Sequence, residues 1–150
     1  MKVAIACDHA ALNLKNNLIK HLITEGYDVT DFGIHVEGAV DYPDYAIKVA
    51  EAVAGGEADR GILICGTGIG MSICANKVKG IRCALCSDTF SAKATREHND
   101  ANVLAFGERV IGAGLAQDIV DTFLSTEFSG AERHVGRIAK VTAIENKYFK

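Results

Sequence analysis

Three short apolar runs, VAIAC at Val3–Cys7, ILIC at Ile62–Cys65 and CALC at Cys83–Cys86, are continuous rather than alternating. A strand with one solvated face alternates apolar and polar residues, so a continuous run marks a strand covered on both faces. Sheets of that kind are parallel, and parallel strands need long crossovers, usually helices. The intervening sequence supplies them. Leu14, Leu18, Ile19 and Leu22 share one helical face, and so do Ala46, Val49, Ala50 and Val53. Pro43 fits the first turn of that second helix, and Gly55-Gly56 its end. Leu115, Ile119, Val120 and Phe123 form a further helical face, and Ile138, Val141, Ile144 and Tyr148 a last one. Strands are expected at Val3–Cys7, Tyr27–Phe32, Gly61–Cys65, Arg82–Cys86 and Val103–Phe106. The alternation predicts an α/β fold, a parallel sheet with helices on both faces.

The chain of 150 residues fits one domain over 1–150, with no linker, repeat or low-complexity segment. A net charge of -3 without a Lys/Arg cluster argues against a nucleic-acid partner. No run approaches the roughly 18 apolar residues of a membrane helix, so no membrane partner is expected. The first apolar run is cut off by Asp8 and His9, too early for an export signal. Five cysteines, an odd number, fit free thiols in a reducing cytoplasm better than a disulfide framework.

Ligands in parallel α/β folds sit at the carboxyl ends of the strands. That rule points to Asp8 and His9, to Cys65–Gly70, to Ser87 and Asp88, and to Gly107–Arg109. The stretch ICGTGIGMSICANK is the most informative. A buried strand runs into Cys65, and Gly66, Thr67, Gly68 and Gly70 then open a helix. Glycines let a turn present several N–H groups to one anion, and a helix start adds positive partial charge. A Walker loop requires Gly-Lys-Ser/Thr, but Met71 and Ser72 follow Gly70. A cysteine phosphatase loop requires an arginine six residues after the thiol, and that residue is Met71.

What remains is a thiol beside a nest of N–H donors. A thiolate there is placed to take a proton from carbon, with the donors stabilising the enediolate and Thr67 passing a proton between its oxygens. Two plainer readings stay open: a phosphate or nucleotide loop without catalysis, and a buried cysteine acting as a small hydrophobe. Cys83 and Cys86 are three apart on a strand and point to opposite faces, unlike a redox pair. Cys7 and Cys74 are expected in the core. His98-Asn99 ends the fourth helical stretch. Arg133 and Arg137 are four apart and share a face if helical, a spacing suited to phosphate or to a solvated surface. Arg109 is a third cation candidate. His21 and His35 carry no assigned role.

In order along the chain stand CDHA, DYPDYA, ICGTGIGMSICANK, REHNDANVLAFGERV and the late Arg133-His134-x-x-Arg137 pattern. Together they resemble the sugar-phosphate isomerase family that contains ribose-5-phosphate isomerase B and the allose- and galactose-6-phosphate isomerases. The resemblance runs over essentially the whole chain. It implies a Rossmann-like three-layer α/β/α sandwich with a five-stranded parallel sheet. It also implies homodimers with shared active sites, which sometimes pair into tetramers, and a C-terminal helix packed on the partner subunit. The implied reaction interconverts ribose 5-phosphate and ribulose 5-phosphate through a cis-enediolate, with no metal or cofactor, in the non-oxidative pentose phosphate route.

Position by position, the resemblance makes Cys65 the proton-abstracting base, His98 the aid to ring opening and Thr67 the proton shuttle. Gly66, Gly68, Ile69 and Gly70 with Asn99 match the anion hole, Asp8 and Tyr42 lie near the sugar, and His9, Arg109, Arg133 and Arg137 match the phosphate cluster. His98, Asn99 and Arg109 are expected from the partner subunit. Some members replace the cysteine with a glutamate further along the loop. Gly70–Cys74 holds no carboxylate here, so Cys65 keeps the role. Galactose-6-phosphate isomerase subunits typically lack the His-Asn pair that this chain has, which favours a pentose phosphate and leaves allose 6-phosphate open.

Overall fold

The computed structural model describes residues 1–149. Five parallel strands form one sheet: β1 (Lys2–Cys7), β2 (Asp28–Asp31), β3 (Arg60–Cys65), β4 (Cys83–Leu85) and β5 (Val103–Gly107), in the order β2-β1-β3-β5-β4. Six helices connect or follow them: α1 (Leu12–Thr24), α2 (Pro43–Ala54), α3 (Ile69–Ala75), α4 (Thr89–Asn99), α5 (Ala113–Ser125) and α6 (Glu132–Tyr148). This is the expected three-layer α/β/α arrangement. The central strands β1, β3 and β5 carry the continuous apolar runs and are buried on both faces. Val3, Ile5, Ile62, Ile64, Leu104 and Phe106 pack with α1, α4 and α5. Ala4, Ala6, Leu63, Cys65, Val103 and Ala105 pack with α2 and α3. Side-chain alternation along each strand assigns these two sets to opposite layers.

The edge strands are shorter than expected, because Tyr27 and Phe32 lie outside β2 and Arg82 and Cys86 outside β4. Edge strands have one neighbour, so their ladders end sooner. Pro43 begins α2 and Gly55 caps it. Cys83 leans on the α2/α3 layer and Cys86 sits in the other core, so the pair does face opposite sides. All five cysteines are free. Cys7 is in the core, whereas Cys74 is only half-buried, its sulfur 3.9 Å from the Pro43 carbonyl.

From β1 the chain steps outward to β2 and then returns to the other side of β1 as β3. That reversal opens a crevice between the carboxyl ends of β1 and β3. Asp8 and Cys65 stand there. Helix α6 is unlike the others, since His134 is its one buried side chain while Val135, Val141, Ile144 and Tyr148 are exposed. No described helix is long and apolar enough to cross a membrane.

Candidate active site

Cys65 is the last residue of β3 and 5 % exposed. Its carbonyl accepts from the Glu108 N–H at 3.0 Å, and the Gly66 carbonyl accepts from the Arg109 N–H at 3.1 Å, which ties the loop to the end of β5. The two segments meet so closely that a Cβ on Gly107 would lie 2.5 Å from the Thr67 Cα. Gly68 then takes φ +79°, and a Cβ there would meet the Leu85 side chain at 2.6 Å and the Phe106 backbone at 2.7 Å. The Gly68 N–H donates to the Cys65 sulfur at 2.9 Å, and the left-handed turn then carries the chain into α3. Thr67 is exposed at the tip of the loop, its hydroxyl accepting from the Ile69 N–H at 3.3 Å. Gly70 packs under the Tyr42 ring, where a Cβ would be 2.8 Å from ring carbon. Lacking that Cβ, Gly70 lets the ring lie over the loop.

Asp8 follows β1 and is 8 % exposed; its carboxylate accepts from the Ala10 N–H at 2.9 Å. The exposed His9 opens on a cavity of about 340 Å³ that Asn13, Glu37 and Glu108 also line. Arg109 runs along Gly66, with its guanidinium Nε 3.6 Å from where a Gly66 Cβ would stand. In this chain the Arg109 side chain lies along its own glycine loop. Asp8, His9, Tyr42, Cys65–Gly70 and Arg109 all gather at the carboxyl edge of the sheet.

His98, Asn99, Arg133 and Arg137 gather elsewhere. Helix α4 runs back along the sheet for 11 residues, about 16 Å at 1.5 Å per residue. The Asn99 carbonyl accepts from Arg82 Nε at 3.0 Å, just ahead of β4 and so at the amino edge. The His98 ring lies 4.5 Å from the His134 ring, which brings the start of α6, with Arg133 and Arg137, to the same corner. A single protomer does not unite these residues with Cys65. The phosphate candidates divide accordingly, His9 and Arg109 at one edge and Arg133 and Arg137 at the other.

Two titrating groups here had no role assigned from sequence. Burial, then the charges of Arg133, His98 and Arg137, hold the His134 imidazole below its usual range; its Nδ1 is 2.8 Å from the Ser129 hydroxyl. Burial, then the Asp8 charge, raises the Glu108 carboxyl, while Arg109 pulls it back in part. Glu108 Oε2 is buried without a hydrogen-bond partner. Its place after a buried strand was the available signal for Glu108, and its place between two arginines for His134.

A doubly covered parallel sheet with a thiol-bearing glycine loop at its switch point is the frame of an α/β protein with a small-ligand site. The family described as Ribose/Galactose Isomerase matches residues 3–141. A putative sugar phosphate isomerase of Bacillus subtilis, YwlF, is 62 % identical over 98 % of this chain and 99 % of its own. Ribose-5-phosphate isomerase B of Escherichia coli is 51 % identical over 97 % of both chains. The structure of Clostridium thermocellum ribose-5-phosphate isomerase B superposes with a TM-score of 0.96 at 57 % identity, covering 99 % of each chain. The chain belongs to the ribose/galactose isomerase family, and it is a sugar-phosphate isomerase.

Proposed function

We propose that this isomerase interconverts ribose 5-phosphate and ribulose 5-phosphate as a homodimer with shared sites, within the non-oxidative pentose phosphate route. The observation that carries the reading is the Cys65 sulfur, which ends a buried strand and is held at 2.9 Å by the Gly68 N–H beside exposed Thr67. In the forward direction the Cys65 thiolate takes the proton from C2 of the open aldose. The electron pair forms the C1–C2 double bond and the C1 carbonyl oxygen becomes the enediolate oxygen, facing the N–H groups of Gly66–Gly70. Thr67 passes the O2 proton to O1, and the Cys65 thiol returns its proton to C1. Asp8 and Tyr42 flank the sugar.

The partner subunit's His98 assists ring opening and the partner subunit's Asn99 completes the anion hole. Arg133 and Arg137, with His9 and Arg109, hold the phosphate. The division of these residues between two edges of one protomer supports a site closed by a second copy. The exposed apolar face of α6, beside a groove lined by Ile81, Val141, Ile144 and Tyr148, supports packing of that helix on the partner. The test is kcat/KM for ribose 5-phosphate beside allose 6-phosphate. A larger value on the pentose is expected; a larger value on the hexose replaces the substrate assignment with an aldohexose-6-phosphate isomerase.

A further inference from the structure

Lys15 is fully buried on the first turns of α1, a placement that a long, strongly hydrated ammonium does not reach without a partner. Its Nζ pairs with Asp31 Oδ2 at the end of β2. The other Asp31 oxygen accepts from the Gly33 N–H at 2.9 Å. Gly33 and Ile34 then clasp one residue of the neighbouring strand: the Gly33 carbonyl accepts from the Cys7 N–H at 2.7 Å, and the Ile34 N–H donates to the Cys7 carbonyl at 3.2 Å. Cys7 is followed by Asp8. The Asp8 carbonyl accepts from the Ala11 N–H at 3.2 Å, and the Ala11 carbonyl from the Lys15 N–H at 2.9 Å. The path closes on the residue where it began. It encircles the turn that presents Asp8 and His9.

A buried ion pair is a poor source of stability, because desolvating the charges offsets most of their attraction. An apolar pair of similar volume would hold α1 against β2 as well. What an apolar pair would not do is fix the Gly33 N–H, and through it the end of β1, in one position. We propose that Lys15, acting through Asp31 and Gly33, is a positioning residue that holds Asp8 and His9 at the geometry the sugar phosphate requires. This deepens the isomerase reading and rests on it. His35 Nδ1 lies 3.4 Å from the same Asp31 oxygen, but at 67 % exposure it cannot replace a buried ammonium.

The test is the double variant Lys15→Met with Asp31→Leu, which removes both charges and leaves none orphaned. The expected result is a cooperatively folded protein whose KM for ribose 5-phosphate rises between about tenfold and a hundredfold, the cost of small misplacements at a reacting centre. Hydrogen exchange of the Ala10 amide, which donates to the Asp8 carboxylate, should accelerate in step. A purely structural pair would lower the folded fraction and leave KM and that amide unchanged in the folded protein. Should the double variant fail to fold, Lys15→Met alone, which removes the buried ammonium and leaves the partly exposed Asp31 to accept from Gly33, is read the same way. KM and kcat within about twofold of wild type, with Ala10 as protected as before, overturn the proposal. If the wild type leaves ribose 5-phosphate unturned, the substrate reading fails, and the Ala10 amide still decides the positioning role.

Discussion

The Gly68 N–H donates to the sulfur of Cys65, three residues earlier, at 2.9 Å, and Gly68 itself takes the left-handed backbone that turns the loop into α3. An alanine at 68 would incur about 1–2 kcal/mol for that conformation and would drive a methyl into the Phe106 backbone. Gly68→Ala is expected to lower the urea midpoint and to cut kcat by more than about tenfold, since the loop must shift away from the thiol. Unchanged turnover would show that this turn does not organise the site.

Cys65 and His98 stand at opposite edges of one protomer, so in the proposed dimer each complete site draws on two chains. Cys65→Ala and His98→Asn are both expected to lose ribose 5-phosphate turnover as pure proteins. Mixed, unfolded and refolded together, they form heterodimers with one intact site, restoring about a quarter of wild-type activity. No recovery on mixing would place both residues in the same chain's site.

His134 reports on the corner proposed to hold the phosphate. An imidazole held below its unfolded value binds fewer protons when folded, so its contribution to stability is intact above about 6.5 and is lost as the pH falls below it. The charges that depress it after burial are those of Arg133, His98 and Arg137, and a bound phosphate dianion neutralises them. Titration of His134 by NMR is therefore expected below the usual imidazole range in the free enzyme and to move upward with inorganic phosphate. An identical titration with and without phosphate would contradict the role of the arginines.

Glu108 runs the other way. Its carboxyl is raised by burial and by Asp8, so the folded state resists its ionisation. That cost is present above the raised value and vanishes below the ordinary carboxylate value of 4.5. Glu108→Gln is expected to raise the thermal midpoint at about pH 8 and to leave it unchanged near pH 3.5. A variant less stable than wild type at the higher pH would indicate an unseen partner for Oε2.

The central strands were legible in the sequence because burial on both faces leaves an uninterrupted apolar run, as at Val3–Cys7 and Ile62–Cys65. The carboxyl-edge half of the site was legible for a related reason, since strand ends and a glycine loop locate it without knowledge of the strand order. Lys15 was not. A lysine inside an amphipathic helix reads as solvated until β2 is known to lie beside β1, which places Asp31 within its reach. The shortened edge strands also depend on the strand order, as does the half-exposure of Cys74. Only the resemblance, which expects His98 from the partner subunit, pointed to a His98 corner across the sheet from Cys65. That placement follows from the direction in which α4 runs back from β4.

The most direct measurement is turnover of ribose 5-phosphate with excess chelator, wild type beside Cys65→Ala. Chelator-insensitive activity that falls by at least about a thousandfold in the variant, with its fold intact, is the expected result. Activity that survives the loss of the thiol would contradict Cys65 as the base.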